Sequence, residues 1–250
     1  PSDFEEYVIP SGEKISWPVN YEEMEPFYQQ AESLFSVRGT KDPLDKQSTY
    51  TLENPPAMCE QDQHLFGEFQ KSGFHPFRLH VGIQYKKDCK ECGGNICPHQ
   101  CKRDAYNSCI VPALDTNKLY ICEYAQAKKL HEENGKITAI DVEHNGNITT
   151  LSAKIFILGA GAYFSPLLLM KSRNEANPNG LANRSGLVGK NLMFHACDFF
   201  GIWPLRKCSR VGPNKTIAIR DLYTHEGERL GEFQSTGLAA DYGLVLFALR

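Results

Sequence analysis

Apolar and polar positions follow three different periods along this chain. Between residues 21 and 35, Tyr21, Met24, Phe27, Tyr28, Ala31, Leu34 and Phe35 recur near helical spacing behind Pro18 and Asn20, predicting a surface helix with one packed face. His64 to Ser72 repeats the pattern more briefly and is stopped by Gly73. From Leu119 to Leu158 the period falls to two, broken by Asn134-Gly135 and Asn145-Gly146, which predicts a meander of antiparallel strands. Ile155 to Leu158 is an apolar burst short enough for a buried strand, and Ser165-Pro166 opens an apolar helical run. Lys41 to Pro56 and Asn174 to Gly186 are breaker-rich loops. Phe199 to Trp203, Thr216 to Ile219 and Leu244 to Leu249 read as strands of a second sheet-containing region. These elements predict an α/β (α+β) chain in three segments: helices and loops over 1–115, the meander with its strand and helix over 116–190, and sheet over 191–250.

Composition narrows the function classes without naming one. At 250 residues, with 41% hydrophobic and 23% charged positions, the chain has room for one large domain or two smaller ones. A net charge of -3 argues against a general nucleic-acid binder, which needs a basic surface. No apolar stretch is long enough to span a membrane, because the runs near Ile155 and Leu167 are interrupted by Gly, Ser and Pro.

The candidate chemistry centres on Gly159-Ala160-Gly161-Ala162, between the predicted strand and helix. Small residues at such a turn let a phosphate or a flat ring approach the backbone and its N–H groups. The same residues also make a plain tight turn, and both readings stand. The pattern is not GxGxxG, because Phe164 occupies the sixth position.

Gly161-Ala162, Ser165-Pro166, Leu168-Leu169 and Ser172 do fall in step with the second signature of the glucose-methanol-choline (GMC) flavoprotein oxidoreductases, whose final Gly is Arg173 here. Three further segments resemble that family, in family order. Trp17-Pro18, Tyr21, Pro26-Phe27-Tyr28 and Ala31-Glu32 match its early helix. Ala125-Gln126-Ala127-Lys128-Lys129-Leu130, leading to Ile137 through Val142, matches its hairpin, and Gly186-Leu187-Val188-Gly189-Lys190-Asn191-Leu192-Met193-Phe194-His195 matches its glycine turn. The resemblance spans residues 17 to 195.

The resemblance implies part of a Rossmann-like FAD-binding domain carrying the meander, plus part of an antiparallel-sheet substrate domain. It implies FAD, with the Ala127 backbone at the adenine and Gly159, Ala160, Gly161 and Ala162 at the ribose or pyrophosphate. It further implies oxidation of an alcohol group on a sugar, sugar acid, polyol or other small alcohol, with hydride passing to the flavin. The family's catalytic histidine and opening GxGxxG have no counterpart among these residues. The chain is therefore expected to be an internal piece of a longer flavoenzyme, with no catalytic residue of its own. His195 is expected to be structural. Electron acceptor and compartment are not specified by any motif. The competing classes are a cysteine-nucleated metal or interaction module and a noncatalytic remnant of the family.

Nine cysteines are many for this length, and Cys89, Cys92, Cys97 and Cys101 lie within thirteen residues, bent by Gly93-Gly94 and Pro98. Thiolates so close can share one centre, so an iron–sulfur cluster, a structural zinc, and disulfides or free thiols are all open. Cys92-x4-Cys97-x3-Cys101 resembles a segment of bacterial sugar dehydrogenases in the same family, where such cysteines hold an iron–sulfur cluster. Glu91 stands where those enzymes carry a ligand, and Cys89 is the candidate substitute.

Overall fold

A computed structural model describes residues 2–8, 12–86, 89, 97–202, 208–209, 212–213, 215–224 and 229–236. In chain order the elements are β1 (Tyr7–Val8), β2 (Lys14–Ile15), α1 (Tyr21–Leu34), α2 (Glu60–Lys71) and β3 (Phe77–Arg78). A π-helical turn (Tyr106–Ile110) runs into α3 (Val111–Asp115), followed by β4 (Ala125–Glu133), β5 (Lys136–His144), β6 (Asn147–Ser152) and α4 (Gly161–Lys171). Strands β7 (Ile217–Ile219) and β8 (Phe233–Gln234) complete the described elements. The chain divides into two compact units, one of residues 1–119 with 203–250 and one of residues 120–202.

In the first unit, β3, β7 and β8 form an antiparallel sheet with β7 central. Phe77, Leu79 and Ala218 pack as its core, and Ile217 is fully buried. Helix α2 is fixed to this sheet's strand entry: Cys59 N–H donates to the Pro213 carbonyl, and the buried Thr216 hydroxyl donates to the buried Asp62. Helix α1 begins where Asn20 and Glu23 form a capping box, Asn20 Oδ1 accepting from Glu23 N–H at 2.9 Å. Its expected apolar packing is sparse, since Phe27, Tyr28 and Leu34 stay exposed. Polar side chains one helical turn apart dock it instead. Glu25 accepts the Thr49 N–H at 2.6 Å, Gln29 donates to the Thr49 carbonyl at 3.1 Å, and Glu32 accepts the Thr51 N–H at 2.7 Å. The loop so held is closed by Asp45, whose carboxylate accepts from Gln47 and Ser48 N–H and from the Tyr50 hydroxyl.

In the second unit, β4, β5 and β6 form the expected meander, all antiparallel and in that order. Asn134-Gly135 and Asn145-Gly146 all have positive φ, the signature of the tight turns that match strand twist. Leu130, Leu168 and Leu181 make the buried core where α4 meets β4, with Ile137, Ile140 and Leu169 against it.

Three sequence expectations are corrected here. Ile155 to Leu158 do not form a buried strand; they are irregular, with Ile155 78% and Ile157 91% exposed, because no described strand lies beside them to take their backbone groups. Helix α4 starts at Gly161 rather than at Ser165, leaving Pro166 inside it. Phe199 to Ile202 are exposed and irregular; Trp203 and the strand expected over Leu244 to Leu249 lie outside the described residues.

Candidate functional site

The glycine turn is open backbone. Gly159, Ala160, Gly161 and Ala162 are all exposed, and a Cβ placed on Gly159 or Gly161 would meet nothing within 4 Å. Gly161 has φ +74°, a conformation that L side chains rarely adopt, so the turn requires glycine there for backbone reasons alone. Ala160 is the N-cap of α4 and supplies no side-chain hydrogen bond to it. The first-turn N–H groups of α4 therefore remain available to an outside acceptor, at the positive end of an eleven-residue helix. That donor set suits a phosphate or ribose oxygen better than a metal ion.

Ala127 lies exposed on β4, which among the described residues pairs with β5 alone and is an edge of its sheet. The register shifts between Ala127 and Lys129, so the backbone bulges at this position. An edge strand with a local bulge leaves main-chain groups free for a planar ring with donors and acceptors on its rim. Both features belong to the second unit and fit a dinucleotide with an adenine end.

The connection between β4 and α4 is polar as well as apolar. Ser172, the C-cap of α4, is 1% exposed; its hydroxyl accepts the Leu130 N–H at 2.8 Å and donates to the Leu168 carbonyl at 2.7 Å. Beyond it, Glu132 Oε2 accepts from Asn174 at 2.9 Å and Asn177 at 3.1 Å, pinning the following loop to the meander. Those amides, with the Gly135 N–H, hold the Glu132 carboxyl below its ordinary pKa. The loop is thus more ordered than its breaker-rich composition suggests. Asn174 and Asn177, three apart and facing an acidic strand end, were the available signal. Further on, Asn183 accepts the Val188 N–H at 3.1 Å and so shapes the Gly186–Gly189 turn, while His195 is exposed.

The cysteine loop is closed at its base by a short ladder. Gln84 N–H donates to the Cys101 carbonyl at 2.7 Å, and Arg103 N–H to that of Gly82 at 2.8 Å. Cys101 is buried and its N–H donates to Cys97 Sγ at 3.3 Å. That N–H is the main reason the Cys97 thiol is drawn down to about 7. Burial, followed by the Cys97 and Cys89 thiols, pushes Cys101 up to about 11. Cys97 and Cys101 thus lie in contact, with the Cys89 thiol acting on Cys101, whereas Cys92 lies outside the described residues. Among the described residues no group of three His, Cys, Asp or Glu side chains is arranged to hold a metal ion, and none of the described cysteines is in a disulfide.

No helix among the described residues is long and apolar enough to cross a membrane. Comparison with known proteins gives a consistent picture. The chain is 26% identical over 227 residues to a 2-methyl-1,2-propanediol dehydrogenase of Mycolicibacterium austroafricanum, covering 85% of this chain and 40% of that protein. It is 27% identical over 201 residues to a fructose dehydrogenase large subunit of Gluconobacter japonicus, covering 72% and 35%. A 6'''-hydroxyparomomycin C oxidase of Streptomyces lividus is 23% identical over 246 residues, covering 89% and 45%. The chain thus spans less than half the length of these curated relatives. The family model for GMC oxidoreductases matches residues 18–197, well over half of the chain, and on that match the chain belongs to the GMC oxidoreductase family.

Proposed function

We propose that this chain supplies part of the FAD site of an oxidoreductase acting on the alcohol group of a sugar, sugar acid, polyol or other small alcohol. The observation that carries this reading is the exposed, uncapped turn at Gly159 to Ala162, set inside the residues that match the family. Residues 116–190 contribute to a Rossmann-like FAD-binding domain, and residues 191–250 begin a substrate domain. The open N–H groups at the start of α4 hold the ribose or pyrophosphate, and the bulged Ala127 backbone meets the adenine. Once bound, FAD supplies the hydride acceptor for oxidation of the carbinol carbon. The chain's own part is binding and orientation: the turn admits the cofactor because it has no side chains in the way, and β4 fixes the adenine end. No residue of this chain is assigned to take the hydroxyl proton.

A second, compatible reading concerns the cysteine segment, in which the Cys101 N–H meets Cys97 Sγ at 3.3 Å. On sequence spacing, Cys89, Cys92, Cys97 and Cys101 are candidates for a thiolate-bound metal centre, iron–sulfur or zinc, against ordinary thiols without metal. One preparation tests both readings. The full-length protein, purified anaerobically, is expected to show a flavin absorption band that bleaches with an alcohol or sugar substrate. Absence of the flavin after incubation with FAD would overturn the first reading. Elemental analysis of the same sample separates iron with acid-labile sulfide, zinc, and free thiols.

A further inference from the structure

We propose that the hydroxyl of Ser172 is a positioning group for FAD, setting the glycine turn and the adenine-contacting strand in register with each other; this rests on the FAD reading above. The two backbone segments assigned to the cofactor belong to different elements, Gly159 to Ala162 at the start of α4 and Ala127 on β4. A cofactor that touches both is sensitive to any slip between helix and strand. Apolar contact among Leu130, Leu168 and Leu181 attracts the two elements but does not fix their register, because it is non-directional.

Ser172 supplies the directional component. The hydroxyl of this buried residue accepts the Leu130 N–H on β4 and donates its proton to the Leu168 carbonyl in the last turn of α4. Both capacities of the hydroxyl are used, and both partners are main chain, so the bond ties backbone to backbone. Leu130 is three residues beyond Ala127 along the same strand, on the far side of the bulge between Ala127 and Lys129. The strand is therefore anchored next to its irregular segment. Glu132, with Asn174 and Asn177, extends the same anchorage past the helix end. Without the hydroxyl, the Leu130 N–H loses its partner, while the Leu168 carbonyl keeps the Ser172 N–H at 3.0 Å, and the strand is free to shift against the helix to satisfy that N–H again.

The test compares three variants of the full-length protein by FAD titration and by amide hydrogen exchange. Ser172→Ala and Ser172→Gly both remove the hydroxyl, and the Gly variant is kind to a helix end should the Ala variant fold poorly. Leu181→Ala loosens the same apolar contact while keeping the hydroxyl. Both hydroxyl-free variants are expected to weaken FAD binding by roughly tenfold or more and to speed exchange at the Leu130 amide. Leu181→Ala is expected to lower the melting temperature with a much smaller change in FAD affinity. Wild-type affinity in both Ser172 variants would overturn the proposal while leaving the FAD reading intact. Equal weakening by Leu181→Ala at equal loss of stability would also overturn it, showing a purely structural bond. A wild-type protein that takes up no FAD would overturn both.

Discussion

At the residue scale, Gly159 and Gly161 sit two positions apart and are under different constraints. Neither would meet an obstacle on gaining a Cβ, but only Gly161 has φ +74°. Gly161→Val should therefore cost roughly 1–2 kcal/mol of stability from backbone strain alone, together with loss of FAD. Gly159→Ala should leave stability within about 0.5 kcal/mol and change only FAD affinity. Chemical denaturation paired with FAD titration separates the two effects; equal behaviour of the variants would show that the turn serves the fold only. Gly180 is glycine on both counts: its φ is +101°, and a Cβ there would lie 2.8 Å from Met170 Cα. A sequence shows all three only as glycines. The need for Gly161 was legible from its place between strand and helix signals, while the space constraint on Gly180 depends on a contact ten residues back along the chain.

At the element scale, the meander was legible because its turns are written in two residues each. Asn134-Gly135 and Asn145-Gly146 set the register locally, so β4, β5 and β6 need no distant information. One face of this sheet carries a polar trio, one residue from each strand. Asp141 on β5 accepts the Thr150 hydroxyl of β6 at 2.7 Å, and His131 on β4 has Nε2 2.8 Å from the other carboxylate oxygen. The Thr150 hydroxyl first, and then His131, hold the Asp141 carboxyl below its ordinary value. A lowered carboxyl pKa stabilises the fold above the unfolded value, near 3.9, and that gain is lost as pH falls through the lower folded value. Asp141→Asn is therefore expected to flatten the acid limb of stability below about pH 4, with little change in slope at neutral pH. An unaltered acid limb would remove Asp141 from the account. Helix α1 shows the opposite degree of legibility. Its start was readable from Asn20, but the docking side was not. Glu25, Gln29 and Glu32 look like a solvated stripe until the backbone of Thr49 and Thr51 lies beside them.

At the scale of the whole molecule, long-range pairing separates what could be read from what could not. The sheet of β3, β7 and β8 joins residues near 77, 218 and 234, and no local pattern announces which short strand pairs with which. Ile155 to Leu158 carry the composition of a buried strand, yet Ile155, Ile157 and Leu158 are exposed, since composition records a preference and pairing requires a neighbour. The candidate site was legible only in outline. The open turn and Ala127 came from local motifs, whereas the roles of Ser172 and Glu132 arise from contacts across about forty residues, as in the Leu130–Ser172 bond. The paired Asn-Gly turns have a last consequence, for how this protein ages. In an Asn-Gly pair the glycine nitrogen can close on the side-chain amide carbon of asparagine, releasing ammonia and forming a cyclic imide that water opens to aspartate or a backbone-lengthened isoaspartate. Each event adds a negative charge to a chain of net charge -3, and the lengthened product lets a two-residue turn no longer match its strands. The Glu132 carboxylate holds the Gly135 N–H, which fixes that peptide plane and hinders the rotation that brings the nitrogen onto the Asn134 amide carbon. Peptide mapping of stored protein should therefore find Asn145 converted before Asn134, so that the hairpin between β5 and β6 loosens first; the reverse order would show that the carboxylate gives no protection.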